Sequence, residues 1–247
     1  MQLEFAGRRA LIFGGTCDLA ICLAELMMGS AIFPVLTYRD DEGRKLIRES
    51  LGPEDGRYQT AFLKKGERAS LERLFAGDAA NIDYFVDFAQ GDYERFVAAA
   101  DEDEVDSYFS ENTAFRAEVL KMAARSMLKR KKGRLVFVSS SAAARANKGQ
   151  GFYAAAKLAS EQLYKSIGIE LGPRGITTVS LRPGYVDCGR GSRFLHDRGD
   201  EPLKKVPFGR ALDKLEVAKT VMFLLSDAAR GINATEILMD GGMTQVK

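Results

Sequence analysis

The chain has little histidine, little cysteine and no long apolar segment. Its 247 residues include a single histidine, His196, which argues against a Ser-His-Asp hydrolase and against a histidine-rich metal site. Cys17, Cys22 and Cys188 are odd in number and lack metal-ligand spacing, so we expect free thiols in a reducing compartment and no bound metal. No segment approaches the roughly 20 apolar residues of a membrane-spanning helix. A cytoplasmic protein is therefore expected.

No single sign of charge dominates the chain. It carries 36 Lys and Arg against 34 Asp and Glu, and the net charge is +2. The basic residues are spread throughout, which argues against a nucleic-acid-binding stripe and against a basic membrane patch. Hydrophobic residues make up 46% of the chain, which is enough for one large core. A length of 247 residues is short for two domains of this kind.

Short apolar segments alternate with amphipathic stretches of helical length. This alternation is typical of a parallel sheet with helices on both faces, and it predicts a single doubly wound α/β domain over residues 1–247. A substrate lid is predicted at about 187–210, because a long irregular loop in a compact domain is usually a binding loop. Seven strands are predicted, at Ala10–Phe13, Phe33–Tyr38, Tyr58–Leu63, Tyr84–Ala89, Leu135–Ser139, Thr177–Leu181 and Glu236–Met239.

Tyr153 and Lys157 are four residues apart, and Ser140 precedes Tyr153 by 13 residues. A helix places positions i and i+4 on one face, so we expect the ammonium to lower the pKa of the phenol and make it a general acid and base. Ser140 follows an apolar strand, at the sheet edge where open α/β folds bind ligands. The Tyr-Lys pair alone is weak, since a solvated lysine beside a half-buried tyrosine has the same spacing. The upstream serine and a glycine-rich segment favour proton transfer.

The glycine-rich segment Gly14-Gly15-Thr16-Cys17-Asp18-Leu19-Ala20 joins the first predicted strand to a helix. In such a turn the backbone amides and the helix N-terminus face a ligand, and this geometry suits a pyrophosphate. We expect Asp18 to be the N-cap of the helix.

Together these features resemble the shorter branch of the short-chain dehydrogenase/reductase family, which includes 3-oxoacyl-thioester reductases. The resemblance covers nearly the whole chain. It also includes Asn112, Arg-Pro-Gly at 182–184, Pro-Phe-Gly-Arg at 207–210 and the terminal Asp-Gly-Gly at 240–242. It implies a Rossmann fold, a nicotinamide cofactor and a closed homo-oligomer, with a tetramer favoured over a dimer.

The resemblance also implies a role for four side chains. Tyr153 would give its proton to a ketone oxygen as hydride arrives from the nicotinamide, and Ser140 would hydrogen-bond the same oxygen. Lys157 would bind the nicotinamide ribose. Asn112, 28 residues before Ser140, would hold a water that links Lys157 to solvent. The implied reaction is reduction of a ketone to a secondary alcohol, with a 3-oxoacyl thioester or another small carbonyl compound as substrate.

The end of the second predicted strand bears on the choice of cofactor. Relatives that use NAD place an acid there for the ribose hydroxyls, whereas NADP users leave room and supply arginine. Thr37 stands at that place and Arg39 could reach a 2′-phosphate, so NADP is predicted in preference to NAD. Asp40 and Asp41 keep NAD open if the strand ends a few residues later.

Most of the predicted cofactor contacts lie at the ends of strands or in the segments that follow them. The predicted contacts are Gly14, Thr16, Cys17, Asp18, Leu19, Tyr38, Arg39, Lys64, Ala89, Tyr153, Lys157, Pro183, Gly184, Val186 and Cys188. Several depart from the family pattern. Asp18 stands where the family usually has a Gly. Lys64 stands where the family has an Asp that contacts the adenine, and Cys188 stands where it often has a Thr that contacts the carboxamide. The fourth strand leads into Asp-Phe-Ala-Gln at 87–90 where the family has Asn-Asn-Ala-Gly. Each departure weakens one expected contact.

Other functions remain open at this stage. A non-catalytic nucleotide-binding regulator would explain the altered cofactor motifs but gives no reason for an intact set of chemical residues. A sugar-nucleotide epimerase needs a larger substrate domain than the roughly 60 residues after Pro183. A dehydrogenase that oxidises an alcohol with NAD is also possible. Lys131 and Arg174 fall where some relatives present basic residues to an acidic acyl-carrier protein, although Lys131 also fits a solvated helix end.

Overall fold

The apolar segments form a seven-stranded parallel sheet in the computed structural model, which describes residues 3–199 and 201–246. The spatial order of the strands is β3-β2-β1-β4-β5-β6-β7. The strands are β1 (Arg9–Phe13), β2 (Phe33–Tyr38), β3 (Gln59–Phe62), β4 (Tyr84–Asp87), β5 (Gly133–Val138), β6 (Ile176–Pro183) and β7 (Thr235–Met239). All seven predicted strands are confirmed.

Helices connect the strands and cover both faces of the sheet. They are α1 (Asp18–Gly29), α2 (Asp41–Leu51), α3 (Arg68–Ala76), α4 (Glu102–Phe109), α5 (Phe115–Leu128), α6 (Gly151–Leu171), α7 (Gly189–Arg198) and α8 (Lys214–Leu225). A π-helical segment, Ser110–Ala114, joins α4 to α5. Among the described residues, no helix is long and apolar enough to cross a membrane.

Alternate residues of β1 divide the core into two layers. Ala10 and Ile12 belong to a buried cluster with residues of α1 and α8. Leu11 and Phe13 belong to a second cluster with residues of α3, α5 and α6. Because successive strand residues point to opposite faces, the sheet is covered on both sides. The prediction of a doubly wound α/β fold is confirmed.

The strand order reverses at β1 and β4, which opens a crevice at the carboxyl edge of the sheet. Gly14 follows β1 with φ +82°, and a Cβ atom there would lie 2.7 Å from the backbone nitrogen of Ala89. Only glycine fits this close approach of the segments after β1 and β4. The segments that follow β1 and β4 therefore meet at this edge of the sheet.

The segment predicted as an irregular lid contains regular structure. Helix α7 and a 3₁₀ turn, Leu203–Lys205, lie within it. Cys188 precedes α7 with extended backbone, and Phe194 of α7 stacks on Tyr185 with ring centroids 5.5 Å apart. Residue 200, within the predicted lid, lies outside the described residues.

Candidate active site

Tyr153 and Lys157 lie one turn apart on α6, near the carboxyl end of β5. The Nζ atom of Lys157 is 5.8 Å from the centroid of the Tyr153 ring, so the two side chains share a helix face as their spacing predicts. The same Nζ donates to the carbonyl of Val138, the last residue of β5, at 2.8 Å. It also lies 4.7 Å from the centroid of the Phe137 ring. Only 2% of Lys157 is exposed, so its ammonium sits in a low-dielectric environment.

Ser140 follows β5 at the same edge. Its backbone is extended (φ −162°, ψ 151°) and its Oγ accepts a hydrogen bond from the backbone nitrogen of Ala142 at 3.2 Å. This bond caps the short 3₁₀ turn Ser141–Ala143 and holds the hydroxyl toward α6. Ser140 is also one of the groups that act on the pKa of Tyr153. The spacing from Ser140 to Tyr153 thus brings the two hydroxyl groups together.

Burial controls the acid strength of Tyr153. It raises the pKa of Tyr153 above that of an ordinary tyrosine and outweighs the opposing effects of Arg190 and Ser140. Burial also lowers the pKa of Lys157 well below its usual range. The expectation that Lys157 lowers the pKa of Tyr153 is therefore wrong in this structure, where the cations that do so are Arg190 and Arg116. At neutral pH the phenol keeps its proton and can act as an acid.

Asn112 lies in the π-helical segment and is 2% exposed. Its Oδ1 accepts from the backbone nitrogen of Gly91 at 2.6 Å, and its Nδ2 donates to the carbonyl of Tyr108 at 2.9 Å. Its own carbonyl accepts a hydrogen bond from Arg116. Asn112 thus ties the segment after β4 to α4 and α5. The water-holding role implied by the resemblance stays a prediction.

Behind these residues lies a buried ion pair that was not predicted from the sequence. The Nε atom of Arg116 donates to Oδ2 of Asp87 at 2.8 Å, and both side chains are at most 2% exposed. Two signals could have indicated the pair. Arg116 is one helical turn after Asn112, and Asp87 is a carboxylate at the end of a buried strand.

Arg190 of α7 crosses the crevice to the segment after β4. One of its nitrogens donates to the carbonyl of Gly91 at 3.3 Å and lies 3.6 Å from a carboxylate oxygen of Asp92. Its guanidinium carbon is 5.9 Å from the centroid of the Tyr153 ring. The sequence analysis did not single out Arg190, because nothing along the chain links it to Tyr153. Helix α7 reaches Tyr153 through this side chain.

The glycine-rich turn leads into a helix whose first amides face the crevice. Cys17 is the N-cap residue of α1, and its thiol makes no capping hydrogen bond. Asp18 is the first residue inside α1, so its prediction as the N-cap is wrong. Its carboxylate lies 3.5 Å from the place of a Cβ on Gly189, at the start of α7. The uncapped N-terminus suits a pyrophosphate, although the charge of Asp18 opposes one.

The residues at the end of β2 differ in their contacts and in their exposure. Thr37 is buried, and its hydroxyl accepts from the backbone nitrogen of Gly14 at 3.0 Å, so it holds the glycine turn in place. Asp40 caps α2 by accepting from the backbone nitrogen of Gly43 at 2.7 Å. The Arg39 side chain is 73% exposed and pairs with Asp40 at 3.2 Å. Arg39 is thus an accessible cation at this rim.

The other predicted cofactor residues form two groups. One group lies around the ends of β1, β2 and β3. Thr16 and Tyr38 both lie against Gly43 of α2 in this group, since a Cβ atom on Gly43 would be 2.9 Å from the Thr16 side chain and 3.6 Å from the Tyr38 side chain. The other group follows β4 and β6, where Gly184 allows close approach of Asp240. The remaining members are Leu19 in α1, the exposed Lys64 after β3, Ala89 after β4, Pro183 at the end of β6, and Val186 and the half-buried Cys188 before α7.

Burial makes two thiols of the crevice weak acids. It raises the pKa of Cys17 to about 11 and the pKa of Cys188 to about 12. Both thiols therefore stay protonated at neutral pH, and neither is activated as a nucleophile.

Comparison with known proteins agrees with this geometry. A family model described as enoyl-(acyl carrier protein) reductase matches residues 20–244. The 3-oxoacyl-(acyl-carrier-protein) reductase of Vibrio harveyi is 29% identical over 248 residues, which cover 100% of both chains. The corresponding reductase of Salmonella typhimurium is 27% identical over 247 residues, 99% of this chain and 100% of the relative.

Solved structures show the same fold. A short chain dehydrogenase/reductase family protein has a TM-score of 0.88 at 26% identity, with 100% of both chains covered. A gluconate 5-dehydrogenase from Burkholderia cenocepacia, in complex with NADP and tartrate, has a TM-score of 0.88 at 25% identity, covering 99% of this chain and 98% of the other. The protein belongs to the short-chain dehydrogenase/reductase family, whose members are oxidoreductases that interconvert carbonyl groups and alcohols.

Proposed function

We propose that the protein is an NADPH-dependent reductase that converts a ketone to a secondary alcohol. The observation that carries this proposal is the position of the Tyr153 phenol beside Ser140 and Lys157 at the carboxyl edge of the sheet. A protonated phenol at a sheet edge suits carbonyl reduction, because the oxygen of the product alcohol must gain a proton. A non-catalytic regulator would have no need of a proton donor placed in this way, so the arrangement favours an enzyme.

The side chains have separate roles in the proposed reaction. The Tyr153 hydroxyl donates its proton to the carbonyl oxygen, and the Ser140 hydroxyl hydrogen-bonds the same oxygen as negative charge develops there. Lys157 binds the nicotinamide ribose. The cofactor, when bound, supplies the hydride that reaches the carbonyl carbon. One hydride and one proton together convert the ketone to an alcohol.

The crevice fits a dinucleotide phosphate at two places. The uncapped N-terminus of α1 offers backbone N–H groups to the pyrophosphate. Arg39 offers a guanidinium to a 2′-phosphate, and Asp40, which could have served a ribose, already caps α2. The NADP named in the structure of the gluconate 5-dehydrogenase is consistent with this choice.

We expect Arg39→Ala to weaken NADPH binding by about 1.5–3 kcal/mol, the range for hydrogen bonds to charged groups, and to leave NADH binding almost unchanged. Fluorescence titration with each cofactor measures both affinities. Lys45→Ala is the matched control, since Lys45 is an exposed cation on α2 that pairs with Glu49. Equal losses for NADPH and NADH would make Arg39 structural. Tighter binding of NADH by the unmodified protein would overturn the choice of NADP.

A 3-oxoacyl thioester is the substrate that the named relatives suggest. Lys131 and Arg174, the predicted contacts with an acidic carrier, are neighbours, since a Cβ on Gly175 would be 2.6 Å from the Lys131 carbonyl. They lie next to the starts of β5 and β6, at the edge of the sheet opposite Tyr153. A carrier bound there would therefore lie on the side of the sheet opposite Tyr153 of the same chain.

We also propose a closed homo-oligomer, with a tetramer before a dimer. Helix α6 exposes 46% of Leu158 and 70% of Ile169, and the edge strand β7 exposes 37% of Leu238. Three other apolar residues of α6, Leu163, Ile167 and Leu171, pack against the core of their own chain and are not available to an interface.

Light scattering at micromolar concentration should therefore give a mass of several 27.1 kDa chains. Ile169→Asp should lower that mass by placing a charge in the interface. Leu46→Asp is the control, because Leu46 is 43% exposed but lies on α2. A mass of one chain for the unmodified protein would contradict the assembly and leave the proposed chemistry untouched.

A further inference from the structure

A fully buried arginine lies directly behind the proposed active site. Arg116 is 1% exposed, and its guanidinium contacts three segments. It donates to the Asn112 carbonyl in the π-helical segment, to the Ala89 carbonyl after β4, and to Oγ of Ser160 on α6 at 3.0 Å. A further bond reaches Oε1 of Gln90 at 3.2 Å. The side chain thus connects α5 to the loop after β4 and to α6.

Asp87 holds the arginine in place. Its Oδ2 accepts from Arg116 at 2.8 Å and from the Tyr164 hydroxyl at 3.1 Å, and its Oδ1 accepts from the backbone nitrogen of Ala89 at 3.0 Å. The pair is well satisfied, but buried ion pairs often contribute no more stability than apolar residues of the same volume. Stability is therefore an insufficient reason for placing two charges here.

Arg116 lies close enough to affect the proton-transfer residues. Its guanidinium carbon is 5.1 Å from the centroid of the Phe137 ring, and Nζ of Lys157 is 4.7 Å from the same centroid. Arg116 acts to lower the pKa of both Lys157 and Tyr153. A charge acts strongly at this depth because little water screens it.

Several other charged groups surround Lys157 and Tyr153. Lys157 also faces Asp87 from β4, Arg190 from α7 and Glu161 from α6. Tyr153 also faces Arg190 and, from the segment after β4, Glu94; Ser140 and Lys157 are its other polar neighbours. The Arg190 side chain is 41% exposed, whereas Arg116 is enclosed on every side. Arg116 is therefore the fixed cation of this set.

We propose that Arg116, anchored by Asp87, is a positioning residue of the active site: it holds the backbone of Asn112 and supplies a fixed positive charge that assists proton transfer at Tyr153. This inference rests on the proposed function, because it assigns Arg116 to the same reaction. It gives Asp87 a purpose as well, since an isolated buried cation would be too costly to keep.

Three variants separate the effect of the charges of Asp87 and Arg116 from the effect of their hydrogen bonds. The double variant Asp87→Asn with Arg116→Gln removes both charges and keeps polar side chains of similar size. Arg116→Lys keeps the cation and loses several hydrogen bonds. Asp87→Asn alone keeps Arg116 and removes the opposing carboxylate.

The first readout is the pH dependence of kcat for oxidation of the alcohol, which requires the phenolate form of Tyr153. Arg116 acts on Tyr153 more strongly than Asp87 does, so removal of both charges makes the phenolate harder to form, and the midpoint of the profile should move to higher pH in the double variant. Each unit of movement lowers the phenolate fraction at neutral pH about tenfold. Arg116→Lys should keep the midpoint of the unmodified protein, and Asp87→Asn alone should move it to lower pH.

A second readout needs neither cofactor nor substrate. Ultraviolet absorbance titration of each protein, minus that of the same protein carrying Tyr153→Phe, gives the ionisation of Tyr153 alone. The same order of midpoints is expected. A folded double variant with the midpoint of the unmodified protein would overturn the inference. If the double variant does not fold, an unmoved midpoint in Asp87→Asn would overturn it equally.

The two proposals can fail separately. An unmodified protein that reduces no ketone contradicts the proposed function, whereas the absorbance titration still tests Arg116. An active protein whose variants all share one midpoint contradicts only the inference about Arg116.

Discussion

Tyr153→Phe should lower the turnover of ketone reduction by about 10²- to 10⁴-fold, the usual contribution of a general acid. The change removes the transferable proton and keeps the aromatic ring, so the melting temperature should stay close to that of the unmodified protein. Steady-state kinetics at saturating NADPH, together with thermal unfolding, measure both effects.

Tyr93→Phe is the matched control for this experiment. Tyr93 packs against Phe152, the neighbour of Tyr153, with ring centroids 5.5 Å apart, and the substitution removes only the hydroxyl of a largely buried side chain. Loss of that hydroxyl should leave turnover almost unchanged. If Tyr153→Phe retained nearly full turnover, Tyr153 could not be the acid.

Arg116→Ala should lower the free energy of unfolding by about 3–5 kcal/mol, the usual cost of removing one partner from a buried ion pair. The substitution leaves the carboxylate of Asp87, which is 0% exposed, without its countercharge. It also removes the donors to the Asn112 and Ala89 carbonyls. Urea unfolding followed by circular dichroism measures the loss.

Arg68→Ala provides the comparison for an exposed ion pair. Arg68 and Glu72 lie on α3, 3.0 Å apart, with side chains 77% and 59% exposed. Such pairs contribute less than about 1 kcal/mol. Equal losses for the two variants would show that the Asp87–Arg116 pair is not important for the stability of the fold.

The strands were predictable because buried parallel strands have a simple signature. Each is a short apolar segment bounded by turn residues, and every strand end was predicted to within two residues of its position in the structure. Helix α7 was missed because its residues are mostly polar and none is buried, so no apolar periodicity marks it. Periodicity cannot tell whether an apolar helix face packs into the core or forms an interface, and most of the apolar face of α6 packs inward.

The site was predictable where its residues are close in the sequence. The four-residue spacing of Tyr153 and Lys157 fixes their common face within one helix. The pKa of Tyr153 was predicted with the wrong sign, because it depends on burial and on Arg190 and Arg116, which only the tertiary fold brings near. Asp87 and Arg116 are 29 residues apart, so each carries a local signal of its own, but only the tertiary fold brings them together.

The most direct test of the proposed function is NADPH oxidation in the presence of a panel of ketones. The panel should include a 3-oxoacyl thioester and small oxo acids, and the alcohol product should be identified by mass spectrometry. We predict that at least one ketone causes NADPH consumption with an equal amount of alcohol formed, and that Tyr153→Phe abolishes most of it. Binding of NADPH without oxidation by any ketone of the panel would contradict the account.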